Sequence, residues 1–224
     1  MNEKMNSRKI SDAQREISSQ LQHIVERYQQ NIYRREPAQY AIQELDRVEK
    51  KLSPNQKLIL DSCCGVGESS FHLAQQFPDS LVLGVDKSAS RLSRKNEFKR
   101  NLPENLIYIK GNIIDFWQLL DNPKWHSRMQ KICLFYPNPY PKSTDLKKRW
   151  HAHPVSKHLF RIPCAIELRT NWRIYFEEFA KVSWLYGRKP DQKSLIDENF
   201  PISPFEKKYS LSGHELFSCS ILSK

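Results

Sequence analysis

The segment Asp61-Ser-Cys-Cys-Gly65-Val-Gly67-Glu-Ser-Ser70 places two glycines between an apolar run and an amphipathic one. Glycines there let the backbone approach a ligand closely, and the start of the following helix offers free N–H groups. The next apolar run ends in Gly84-Val85-Asp86, an acid about 20 residues past the glycines, where it can hydrogen-bond ribose hydroxyls. Together the two signals predict a nucleoside-bearing cofactor; the bland alternative is a tight strand-to-helix turn. A dinucleotide site wants G-x-G-x-x-G, whereas this turn has Cys63 at its first position and Ser70 after the pair. Asp61 suits a cationic amino-acid moiety better than a pyrophosphate, which it would repel. S-adenosyl-L-methionine is therefore the expected cofactor.

A second group of candidates begins at Asn138-Pro139-Tyr140-Pro141. This tetrad loosely resembles the Asn-Pro-Pro-aromatic motif of methyltransferases acting on exocyclic amines, with the stacking residue, Tyr140, one place early. Directly after it runs the strongest basic segment: Lys142, Lys147, Lys148, Arg149, His151, His153, Lys157, His158 and Arg161. Phosphate contacts from such a segment would fix an RNA near the cofactor and make binding salt-dependent. Trp150 could stack on a splayed base or be a buried core residue. The three histidines have no nearby carboxylate or cysteine to complete a ligand set, so no metal is expected. Cys63 and Cys64 read as small turn residues, and Glu68 and Asp115 as helix-start acids.

These residues need a frame. Beyond Pro54, short apolar runs alternate with amphipathic stretches, the signature of parallel strands joined by crossover helices. Strands are expected at 57–60, 81–85, 106–109, 131–135 and 165–168, and helices at 69–76, 89–100, 115–120 and 172–185. A loop is expected from Pro190 to Pro204, and a closing strand at 216–222. The fold class is then α/β: a doubly wound, mostly parallel, seven-stranded sheet whose ligands sit beyond the carboxyl ends of the strands. Residues 1–53 form a helical extension, with Ile17, Leu21, Ile24, Val25 and Tyr28 on one stripe, Tyr40, Ile42, Leu45 and Val48 on a second, and Pro37 between. Residues 54–224 are the catalytic domain.

Thirty-six lysines and arginines against 25 acids give the 224-residue chain a net charge of +11, which favours a polyanionic partner, nucleic acid before an anionic membrane. Five cysteines without C-x-x-C spacing suggest neither a disulfide framework nor a zinc site. Reduced thiols, and the lack of any apolar run of membrane length, lead to the expectation of a cytoplasmic protein, monomeric or a small homo-oligomer.

From residue 57 to 222 the chain resembles the tRNA (guanine-N7)-methyltransferase family. The likeness rests on LILDSCCGVGES, FPDSLVLGVDKS, LFYPNPYPKSTDLKKRWHAHP, ELRTNWRIYFEEFA and SPFEKKYSLSGHELF. It implies that Asp61 and the Gly65/Gly67 turn hold the methionine end, that Asp86 holds the ribose and that Asn112 lies beside the adenine. Cys63, Lys87, Ile113 and Asn138 would complete the cofactor contacts. The family's active-site carboxylate falls on Asn138. Its substrate contacts fall on Lys142, Lys147, Lys148, Arg149, Thr170, Asn171, Ser203, Phe205 and Glu206, with tRNA or another structured RNA as the implied partner.

Asn112, Asn138 and Asn171 stand where the family usually has aspartate. An asparagine accepts through its carbonyl, but it cannot take two N–H donors of a guanine edge as a carboxylate can. Three hypotheses follow: methyl transfer to a tRNA guanine N7, a catalytically silent RNA-binding relative, and a methyltransferase acting on another base or an exocyclic amine.

Overall fold

The protein is described by a computed structural model covering residues 13–94, 99, 101–194 and 201–223. Five strands form the parallel part of the sheet: β1 (Lys57–Ser62), β2 (Ser80–Asp86), β3 (Leu106–Lys110), β4 (Met129–Phe135) and β5 (Ala165–Thr170). Two more, β6 (Pro190–Ser194) and β7 (Phe217–Ile221), complete a seven-stranded sheet in the order β3-β2-β1-β4-β5-β7-β6. β7 runs antiparallel to both neighbours. The strand order reverses between β1 and β4, and the crevice beyond their carboxyl ends is where such sheets bind ligands.

The crossovers bury one face of the sheet under α5 (Ile113–Leu120), α7 (Ser156–Arg161) and α8 (Arg173–Leu185), and the other under α3 (Glu68–Gln76). Strands covered on both faces need apolar residues throughout, and β2 is buried at every position. The extension supplies α1 (Leu21–Gln30) and α2 (Gln39–Lys51), whose Leu21, Ile24, Val25, Ala41, Leu45 and Val48 join the larger sheet core. Short helices α4 (Ala89–Leu92) and α6 (Pro123–His126) and a late helix α9 (Pro204–Leu211) complete the described set.

One difference from the sequence reading has a simple cause. The stretch expected to be a loop from Pro190 begins as β6 and ends at α9, with 195–200 outside the described residues. Proline is tolerated at the first residue of an edge strand, where its missing N–H costs no ladder bond. Of the helix expected at 89–100, α4 is seen, while 95–98 and 100 lie outside the described residues. Among the described residues no helix is long and apolar enough to cross a membrane.

Candidate cofactor and substrate site

Asp61 lies near the carboxyl end of β1, fully buried, on one of the two strands that flank the crevice. Ser69 and Ser70, in the first turn of α3, donate hydroxyl hydrogen bonds of 2.6 and 2.7 Å to its Oδ2. Its Oδ1 is buried without a hydrogen-bond partner. Burial pushes the carboxyl up from 3.8 to about 6, against the pull of the two serines. A buried carboxylate oxygen with no donor costs free energy, and a ligand ammonium would satisfy it.

Between Asp61 and α3 the backbone enters the left-handed region at Cys63 (φ 62°), Gly65 (φ 63°) and Gly67 (φ 91°). A Cβ on Gly67 would lie 2.4 Å from the Tyr108 ring, and the Tyr108 hydroxyl donates to the Gly67 carbonyl at 2.6 Å. Tyr108 on β3 therefore locks the turn, a role that its apolar run did not betray in the sequence. Asp86, at the end of β2, accepts from the Gly65 N–H at 3.0 Å and the Ser88 N–H at 2.8 Å, and pairs with Arg91 at 3.2 Å. The acid expected to hold a ribose thus also ties the glycine turn to β2. Lys87 beside it is exposed, and Ile113 is a buried core residue.

Asn112 caps α5 through its own Oδ1, which accepts from the Ile114 N–H at 3.2 Å. The extension reaches this point: the Tyr40 hydroxyl accepts the Asn112 N–H at 2.8 Å and donates to Asp115 at 3.2 Å, while Arg35 pairs with Asp115 at 2.8 Å. Tyr40 was legible only as part of a helical stripe. Its place at the mouth of the site depends on how α2 packs on α5.

The loop after β4 is strained. Tyr136 (φ 51°) and Tyr140 (φ 44°) adopt left-handed conformations that bulky residues avoid. Asn138 between them is exposed, and its Oδ1 accepts the Tyr140 N–H at 3.3 Å. The surroundings hold the loop from both ends. Tyr136 donates its hydroxyl to Glu206 at 3.0 Å and its N–H to the Arg169 carbonyl at 2.8 Å. Arg149 donates to the carbonyls of Tyr140 at 3.0 and 3.1 Å, Lys142 at 3.3 Å and Pro141 at 3.4 Å. The Pro141 carbonyl also accepts the Gln14 N–H at 2.9 Å.

Arg149 requires a correction. Expected on the RNA surface, it is wholly buried and ion-paired with an equally buried Glu178 at 2.5 Å. Glu178 accepts from His151 at 3.0 Å, Gln14 at 2.8 Å and the Ser18 N–H at 3.1 Å. Despite burial, these donors and Arg149 hold its carboxyl down to about 2, and burial keeps His151 below its ordinary range. The basic segment folds into two short 3-10 turns, Ser143–Lys148 and Trp150–Ala152, because Leu146, Ala152 and Arg149 face inward. Trp150 is half-buried, its ring 5.1 Å from that of Trp117. Thr170, Ser203 and Glu206 are also buried and bonded within the protein: Thr170 to the Trp172 N–H, Ser203 to the Glu206 N–H, and Glu206 to Arg169. Of the expected substrate contacts, Lys142, Lys147, Lys148 and Phe205 are exposed, and Asn171 is half-buried beside His214.

By strand register, Asn112, Asp86, Asp61, Asn138 and Asn171 lie at or just beyond the carboxyl ends of β3, β2, β1, β4 and β5, in one row along the same sheet edge. A family model described as "Putative methyltransferase" matches residues 55–219. The chain is 22% identical over 162 residues to a tRNA (guanine-N(7)-)-methyltransferase of Ectopseudomonas mendocina, covering 67% of this chain and 66% of that one. It is 28% identical over 110 residues to the Kluyveromyces lactis protein of the same name, covering 45% and 38%. The match spans between 20% and 39% of the length of the first five curated relatives. Among solved structures, the 16S rRNA methyltransferase KamB superposes with a TM-score of 0.54 at 16% identity, covering 85% of this chain and 96% of that one, a likeness of fold. With the matched model spanning the whole sheet edge and the motifs agreeing with it, the chain belongs to this methyltransferase family, that of the tRNA (guanine-N7)-methyltransferases.

Proposed function

We propose that the protein transfers a methyl group from S-adenosyl-L-methionine to N7 of a guanine in tRNA. The observation that carries the reading is the unpartnered, buried Oδ1 of Asp61 beneath the glycine turn. It is an acceptor of the kind the ammonium of a methionine moiety satisfies, and the residues present therefore fit the cofactor. Asp61 and the Gly65/Gly67 turn hold the methionine end; Asp86, with a lone pair left on Oδ2, holds the ribose; Asn112 borders the adenine. When bound, S-adenosyl-L-methionine supplies an electrophilic methyl carbon on a sulfonium.

The chain's own residues have a modest chemical task. Guanine N7 carries a lone pair and no proton, so no general base is needed. Orientation of two reactants contributes roughly 7–11 kcal/mol in favourable cases. The rigid Tyr136–Tyr140 loop, braced by Glu206 and Arg149, sets Asn138 at the crevice to orient the base through its amide. Exposed Lys142 and Lys147 next to it meet phosphates, in keeping with the net charge of +11.

The test is to incubate the protein with S-adenosyl-L-methionine and an unmodified tRNA transcript and analyse the nucleosides by mass spectrometry. The expected product is 7-methylguanosine. A methyl group on an exocyclic amine or another base would refute the N7 assignment, and no methylation with RNA still bound would identify a silent RNA-binding relative.

A further inference from the structure

A cleft of about 300 Å³ lies between the carboxyl end of α1, the residues that follow it, and the start of α7. Its walls carry Arg27, Tyr28, Ile32, Tyr33 and Lys157. Neither Arg27 nor Lys157 forms an ion pair among the described residues, so two positive charges face one small volume. Lys157 is fixed by donating to the Asn31 carbonyl at 2.5 Å, which leaves two of its three ammonium protons for another acceptor.

The apolar part of the wall is aromatic. Tyr28 is half-buried with the Arg27 guanidinium 5.4 Å from its ring centre, and Tyr33 is half-buried in T-shaped contact with the rings of His153 and His158. Packing therefore fixes both rings. Ile32 between them is 84% exposed, an apolar side chain with no partner at the rim. The volume is at the lower end of small-ligand pockets. Fixed π-faces, an exposed apolar side chain and unneutralised cations match an unstacked nucleotide, whose base stacks while its phosphate meets the ammonium and guanidinium.

We infer that this cleft binds one unpaired nucleotide of the RNA substrate, remote from the nucleotide that is methylated. The inference rests on the RNA reading proposed above, and it gives the helical extension a role in substrate binding. Lys157 lies in the first turn of α7, within the basic segment that begins at Lys142, so one stretch of chain links the loop beside the crevice to the cleft.

The experiment titrates the full-length protein with an unmodified tRNA transcript over a range of salt, for the wild type, Tyr33→Ala and Lys157→Gln. Binding of S-adenosylhomocysteine, measured in parallel, reports that each variant is folded. A transcript carrying 4-thiouridine at its unpaired positions is cross-linked to the wild type, and the attached peptides are mapped. The expected result has three parts. Tyr33→Ala weakens RNA binding about fivefold or more at every salt concentration. Lys157→Gln lowers the slope of log affinity against log salt by about 0.7–0.9. Cross-links fall on residues 28–33. Wild-type binding with both variants unaffected and no cross-link there overturns the cleft assignment and leaves the RNA reading standing. Failure of the wild type to bind the transcript overturns both.

Discussion

The guanidinium of Arg149 and the carboxylate of Glu178 meet at 2.5 Å with neither side chain exposed, and the same guanidinium holds the carbonyls of Tyr140, Pro141 and Lys142. A charge buried this deeply needs its partner, and its remaining donors need acceptors. Here the acceptors are the backbone of the loop that carries Asn138. The second oxygen of Glu178 takes Gln14 and the Ser18 N–H, so one ion pair joins residues 14–18 of the extension to the loop that carries Asn138.

Glu178→Gln removes the charge and strands that of Arg149. Breaking a buried pair costs about 3–5 kcal/mol, which corresponds to a melting temperature lower by roughly 6–20 °C in a chain of this size. Arg149→Lys keeps the charge but loses the planar fork, so it cannot serve Glu178 and three carbonyls together. Its methyl transfer should fall further than its cofactor affinity, in kinetics set against calorimetry.

The depressed Glu178 carboxyl also fixes a pH window. Its folded value is held down to about 2, below the ordinary 4.5, so the stability it contributes is fully present above the unfolded value and is lost as pH falls through the folded one. Denaturant unfolding of the wild type should lose stability between about pH 4.5 and pH 2. Glu178→Gln, already destabilised, should show a shallower loss over that range.

Asp61 has the opposite sign. Burial raises its carboxyl from 3.8 to about 6, so the free protein binds this proton more tightly than the unfolded chain does. Stability from this group is greatest below the unfolded value and declines as pH rises to about 6. Asp61→Asn removes the buried charge. Without ligand it should be more stable than the wild type above that pH, and it should lack this component of the pH dependence. A destabilised Asp61→Asn at neutral pH would mean that Oδ1, as well as Oδ2, has a donor in the free protein.

Gly67→Ala meets two obstacles, a φ of 91° and a Cβ 2.4 Å from the Tyr108 ring. The backbone strain alone costs about 1–3 kcal/mol, and displacing Tyr108 loses its 2.6 Å hydrogen bond to the turn. Combining Gly67→Ala with Tyr108→Ala should recover part of the loss in a double-mutant cycle, because the steric part is shared. Strict additivity would show that Tyr108 does not shape the turn.

Much of the frame was legible because parallel strands buried on both faces must read as apolar runs, and β1 to β5 do. The Asp61 turn and Asp86 were equally plain, since glycine spacing and the acid at a strand end are local signals. Arg149 was misjudged because it sits within a basic run whose other members are exposed. Its burial depends on Glu178, 29 residues later in the chain, and no local pattern encodes that pairing. Tyr40 and Tyr108 were missed for the same reason: the first reads as a helix stripe and the second as strand filler, and only packing turns them toward the site.

We propose that Asp61 completes a pocket for S-adenosyl-L-methionine. Calorimetric titration with S-adenosylhomocysteine, for the wild type and Asp61→Asn, tests it most directly. Micromolar binding by the wild type, weakened at least about thirtyfold in Asp61→Asn as expected for the loss of one partner of a buried charge pair, is the predicted result. No binding by the wild type at millimolar ligand, or equal affinity in the two proteins, would contradict it.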